Sequence, residues 1–228
     1  MKSLLSPLAR FRSSWPMIGL NLAVSAVLIG VVLLLHFWKG VPIGRLTRDP
    51  TTIIRVPFYT GFLSQIGIFF WAASAAVCMF SAKVLSRHPD CLKIKRFLFV
   101  SGLLTLVLGL DDVFLLHEKF FPRFGVPETV VVASYLGFVL FYLVRFYSII
   151  LKTDYILLGM ALFFFGVSIT LDLFDPSGID PYLYEDGAKL VGIVSWLSYF
   201  FCVGAFAVYR NAAQQGAASD MMRQKTNP

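Results

Sequence analysis

The run SSWPMIGLNLAVSAVLIGVVLLLHFW, residues 13–38, decides the fold: 26 residues without an Asp, Glu, Lys or Arg. A hydrocarbon core about 30 Å thick is crossed by about 20 helical residues. Inside it every backbone N–H and C=O must find its partner within the segment, so the run reads as a transmembrane helix. Lys2, Arg10 and Arg12 precede it, as basic residues precede the core of a signal peptide. The run is too long for a core of about 7–15 residues, and no small-x-small cleavage site follows it. It is expected to be a retained first helix, about Pro16–Phe37.

Working outward, the same criterion places a second span at about Tyr59–Ala82 and a third beginning near Phe97. Further spans fall at about Val130–Ile150, Tyr155–Phe174 and Leu190–Tyr209. Trp15, Trp38, Tyr59 and Tyr209 stand near span ends, where amphipathic rings favour the interface. Composition agrees: 57% hydrophobic residues, only 14% charged, mean hydropathy +0.75 and 23 phenylalanines. A soluble domain carries about 25% charge. The expected fold is therefore an all-α polytopic bundle of about six transmembrane helices. Residues 1–210 form the membrane domain, and residues 211–228, small and polar, form a disordered cytoplasmic tail.

The net charge of +7 would suggest nucleic acid in a soluble protein. Here the cations lie between apolar spans, so they report topology and no nucleic-acid partner is expected. With both termini inside, the inner segments hold thirteen Lys and Arg, among them Lys83, Lys93, Lys95, Arg96, Arg145 and Lys152, and the outer segments hold seven. That is the positive-inside bias. Ten of the thirteen acids fall outside, and acids contribute little to topology, so their placement needs another cause. The first outer loop, Lys39 to about Phe58, is too polar to span and is expected to lie on the outer surface. Cys78, Cys91 and Cys202 form no disulfide framework; they read as small hydrophobes and, for Cys91, a residue of a basic loop.

The third span carries the chemistry. Its charge-free stretch, Phe97–Leu110, is about 21 Å long as a helix, short of the hydrocarbon thickness. The helix must continue through Asp111 and Asp112 to about Leu116, which places both carboxylates about one turn below the outer surface. Ionisable groups at that depth are costly and face the bundle interior or a wet cavity. If helical, Asp111 and Glu118 share a stripe with Asp112 beside it; His117 joins them only if the helix ends before it. The fifth span ends with Ser168, Asp172 and Asp175 on one face before Pro176, and Asp111 and Asp172 are expected to lie close in space. Glu185, Asp186 and Lys189 open the sixth span, with Glu185 and Lys189 spaced for an i,i+4 pair.

Carboxylates with one imidazole are ligands for a divalent cation, so Asp111, Asp112, His117, Glu118, Asp172 and Asp175 are the candidate metal-binding residues. Clustered acids also raise one another's proton affinity, which suits proton transfer. Ser168-x-x-x-Asp172 with His117 resembles membrane hydrolases of the alkaline ceramidase type, which coordinate zinc. Those carry several histidines, including an H-x-x-x-H pair, whereas this chain has three histidines and no such pair. His36 and His88 read as structural. Two function classes stand open. One is an outer-leaflet site for a divalent cation, a proton or a lipid-like substrate, with a metal-dependent hydrolase as its enzymatic form. The other is a non-catalytic membrane subunit or assembly factor whose acids fix helix packing. The expected partners are the lipid bilayer, of a bacterial inner (plasma) membrane, and a homo-oligomer or larger membrane complex. The topology predicts that Ser219→Cys is shielded from an impermeant thiol reagent in intact cells and Gly178→Cys is labelled; the reverse pattern inverts the orientation.

Overall fold

The computed structural model describes residues 15–85, 89–174 and 181–226. Among these residues it is all-α, without a strand, and six helices are long and apolar enough to cross a membrane. The protein is a multi-pass integral membrane protein. The chain divides into two compact units, Met1–Thr60 and Gly61–Pro228.

The described part of the first unit holds α1 (Trp15–Lys39) and two short helices, α2 (Ile43–Thr47) and α3 (Pro50–Ile54). Helix α1 stops at Gly40, whose positive φ of 66° closes the last turn, with Gly40 N–H to His36 O at 3.0 Å and Val41 N–H to Leu35 O at 3.5 Å. The Nδ1 of His36 bonds the Val41 carbonyl at 2.9 Å, across the end of the helix. The polar loop after α1 is not featureless. Asp49 caps α3 by accepting from the Thr51 and Thr52 N–H groups, and Pro50 takes the first helical position. The Thr51 hydroxyl, bonded to the same carboxyl, holds it below the usual carboxylate range.

The second unit contains α4 (Phe62–Val84), α5 (Pro89–Phe114), α6 (Glu128–Ile150), α7 (Tyr155–Phe174) and α8 (Pro181–Thr226). A π-turn at Leu116–Phe120 and a 3-10 turn at Pro122–Phe124 join α5 to α6. Helices α4, α5 and α8 pack together and α7 packs on α8. Aromatic rings fill the seams. Trp71 of α4 stacks on Phe165 of α7 at 5.6 Å and meets Trp196 of α8 edge-on. Phe97 of α5 stacks on Tyr142 of α6 at 5.9 Å and tilts against Phe200 of α8. Two of these rings are also bonded across helices through their polar tips: Trp196 Nε1–H donates to Thr105 Oγ1 at 2.9 Å, and the Tyr142 and Ser101 hydroxyls are 2.6 Å apart. In lipid, such packing and interhelical bonding replace the hydrophobic drive between helices.

Three boundaries differ from the sequence expectation. Helix α5 begins at Pro89, a full two turns before Phe97, because Lys and Arg are good helix formers whose stems reach outward from an apolar face. Cys91 is accordingly buried in a helix and not in a loop. Helix α8 likewise begins at Pro181, before Leu190. The segment expected to be a disordered tail from residue 211 continues α8 as far as Thr226. Its Ala, Gln, Met, Arg and Lys residues favour helix, and Asn211 is buried, accepting a bond from the Cys91 thiol at 3.7 Å.

Gly192 of α8 marks the closest approach of α7. A Cβ there would stand 2.6 Å from the Phe165 ring, which is itself stacked on Trp71. Gly192→Ala is predicted to lose about 1–3 kcal/mol by overpacking, read as a lower melting temperature in detergent. Gly137→Ala on the open face of α6, where a Cβ meets nothing within 4 Å, is predicted to be neutral or slightly stabilising.

Candidate functional site

Helix α5 ends at Phe114, earlier than its apolar pattern suggests, because Leu115 adopts a left-handed conformation with φ 50° and ψ 49°. A leucine there costs about 1–2 kcal/mol. The chain then tightens into the π-turn, with Lys119 N–H to Leu115 O at 2.8 Å and Phe121 N–H to Leu116 O at 2.9 Å. This reversal folds His117 back over the end of its own helix. It satisfies the condition on which His117 was to join the acids.

Asp111 is buried and triply bonded. It accepts from the His117 backbone N–H at 2.9 Å, from His117 Nδ1, and from the Tyr135 hydroxyl of α6 at 3.0 Å. The bond to Asp111 raises the proton affinity of His117 above its ordinary value near 6.5. Burial opposes this, the negative charges of Asp111 and Glu118 reinforce it, and Lys189 opposes it weakly. His117 Nε2 lies 3.6 Å from Glu118 Oε1, whose side chain is 44% exposed. Glu118, Nε2 and Asp111 thus form a carboxylate–imidazole–carboxylate line from the surface to the buried end of α5.

Asp112, one residue on, faces another way. It is buried and paired with Lys189 of α8, the two forming a salt bridge across helices. The pairing of Lys189 with Glu185, expected from their spacing, gives way to this one. The Lys189 stem reaches a buried carboxylate, where an unpaired charge would cost more than at the half-buried Glu185. A cleft between α4, α5 and α8, lined by Ser64, Asp112, Asp186 and Lys189, has about 20 Å³ of space. That is room for about one water molecule, far below the ~300–1,000 Å³ of a typical ligand pocket.

Asp172 takes no part in these bonds. Asp172 is exposed, and its charged neighbour is Glu185 of α8; no hydrogen bond or ion pair joins it to Asp111. Ser168 is buried one turn before it. Asp175 lies outside the described residues. Among the described residues, no group of three or more His, Cys, Asp and Glu side chains is arranged to hold a metal ion. One participant escaped the sequence reading: Tyr135. The available signal was a tyrosine inside an apolar span, since a buried phenol requires a partner.

A family model described as "Domain of unknown function (DUF8692)" matches residues 21–203, and the chain belongs to that family. No curated protein and no solved structure matches it.

The Asp112–Lys189 pair predicts non-additive energetics. Asp112→Leu or Lys189→Met alone leaves a charge without its partner and is expected to cost about 3 kcal/mol. The Asp112→Leu/Lys189→Met double variant is expected to recover most of the melting temperature. Additive losses in the double variant contradict a direct pair.

Proposed function

We propose that this member of the DUF8692 family is a non-catalytic membrane subunit in which the intramembrane acids clamp helices together, and in which His117 makes one clamp proton-sensitive. One observation carries the reading: each buried acid of α5 has its own partner. Asp112 ties α5 to Lys189 of α8, and Asp111 ties α5 to Tyr135 of α6 and to the turn holding His117. Neither is an open ligand, and no hydroxyl or thiol among the described residues bonds His117 Nε2 as a nucleophile paired with a base would. The inside bias of Lys and Arg supports placing this end outside the cytoplasm. The all-helical spans support an inner membrane, since outer-membrane spans are barrels. On this reading His117 faces the extracytoplasmic side, where the external pH acts on it.

A folded-state proton affinity above the unfolded one gives a definite sign. Stability from the His117–Asp111 bond is fully present below pH about 6.5, the ordinary value, and is lost as pH rises through the higher folded value. The wild-type melting temperature is predicted to fall by a few degrees above pH 6.5, about 2–4 °C per kcal/mol of lost stabilisation. His117→Gln is predicted to flatten that slope. A wild-type profile unchanged by His117→Gln removes the proton-sensitive clamp from the proposal.

A second reading, a divalent-cation site, is favoured by the charges around Glu185: Asp172, Asp186 and Glu118 act on it alongside Lys189. It predicts that millimolar calcium or magnesium raises the melting temperature of the wild type and not of Asp172→Asn/Glu185→Gln. The clamp reading predicts indifference to either ion in both proteins.

A further inference from the structure

The opposite end of the second unit carries a different charge pattern. Lys93 and Arg96 lie one and two turns into α5. Arg145 lies on α6, which ends at Ile150, so it sits about 7.5 Å inside that span. Helices α5 and α6 are consecutive spans and run in opposite directions, so the three cations meet at one level. They line a single cleft of about 240 Å³ with Phe146, Ser148 and Ile149. That volume is below the ~300–1,000 Å³ that a drug-sized ligand fills, and suits a headgroup.

All three cations are exposed, and among the described residues none forms an ion pair. Lys95, between them in sequence, is committed elsewhere: its Nζ donates to the Leu85 carbonyl at 3.0 Å and closes the end of α4. The Arg145 guanidinium is held at 5.4 Å from the Phe146 ring centroid. Phe146 is in turn buried against Phe97 and Tyr142, so the guanidinium rests on a fixed wall. A guanidinium inside a span without a carboxylate is costly, and the usual compensation is an anion from the membrane itself. Three cations with no acid among them repel one another until an anion arrives.

We propose that the cleft between α5 and α6 binds the phosphate of an anionic phospholipid. The planar Arg145 fork takes two phosphate oxygens, Lys93 and Arg96 supply charge, and the Ser148 hydroxyl is placed to donate one more bond. The acyl chains then lie along the apolar outer surface of the two helices. This site is separate from the acidic clamp and does not depend on its role.

The test uses the full chain purified in a neutral detergent, with bound lipid counted by native mass spectrometry. The expected result is saturable binding of phosphatidylglycerol, weak binding of phosphatidylcholine, and loss of roughly tenfold in affinity in Lys93→Gln/Arg96→Gln and in Arg145→Gln. Arg145→Lys, which keeps the charge and loses the fork, is expected to fall between wild type and Arg145→Gln. Lys152→Gln, a cation at the same end outside the cleft, is expected to leave binding unchanged. The double variant changes only exposed side chains and so tests the site if Arg145→Gln does not fold. Undiminished phosphatidylglycerol binding in the double variant overturns the proposal, and so does an equal loss in Lys152→Gln, which would mean general charge attraction. Inorganic phosphate competing at concentrations equal to those of the lipid assigns the cleft to a soluble phosphate and overturns the lipid assignment.

Discussion

An ionised carboxylate cannot sit alone in hydrocarbon, and the third span of this protein brings two of them there in adjacent positions. Adjacent residues on a helix point about 100° apart, so no single partner can serve both. Asp112 is met by a lysine from α8; Asp111 is met by a tyrosine from α6 and an imidazole from beyond its own helix. The rest of the second unit follows from that division. Helix α5 must lie where α8 reaches it on one side and α6 on another. The turn after Phe114 must reverse at once, even at the expense of a left-handed leucine, so that His117 returns to the carboxylate. Strain of this kind persists where surrounding contacts over-determine it, and here three hydrogen bonds to one carboxylate do so.

Away from that end the helices are held by shape. Large rings, Trp71, Phe97, Phe165 and Trp196, interlock across α4, α5, α7 and α8, and small residues sit opposite them. Helix α8 takes part on several sides, contributing Trp196, Tyr199 and Phe200 among the most deeply buried side chains. Hydroxyls of this interior such as Ser101, Thr105 and Thr153 are spent within it, on carbonyls one turn back or on a neighbour's phenol or indole. The interior thus offers little polar surface to a ligand. The charge left unspent lies at the two ends, acidic at one and basic at the other.

The number and approximate placement of the spans are legible in the sequence because lipid imposes a length and forbids charge. The depth of Asp111 and Asp112 is legible for the same reason: fourteen apolar residues do not cross a bilayer. What the pattern cannot carry is pairing between distant residues. Glu185 and Lys189 have the spacing of a local ion pair, yet Lys189 answers to a buried acid 77 positions earlier. The role of His117 turned on one backbone torsion at Leu115, a residue with no intrinsic preference for it. Helix starts at Pro89 and Pro181 were displaced because hydropathy marks where a helix enters lipid, whereas helix formation begins in the polar layer before it. The continuation of α8 past residue 211 was hidden for a related reason. Small and polar residues suggest a loose end, while Ala, Gln and Met have strong helical preference.

That last helix has a mechanical consequence. Pro181–Thr226 is 46 residues without a break, about 69 Å at 1.5 Å per residue. A bilayer with its headgroups is about 40–45 Å thick, so a third or more of the rod stands clear of it. Lys189, gripped by Asp112, is near one tip. The buried run from Ile193 to Asn211, seated against its neighbours, sets the direction of the whole rod.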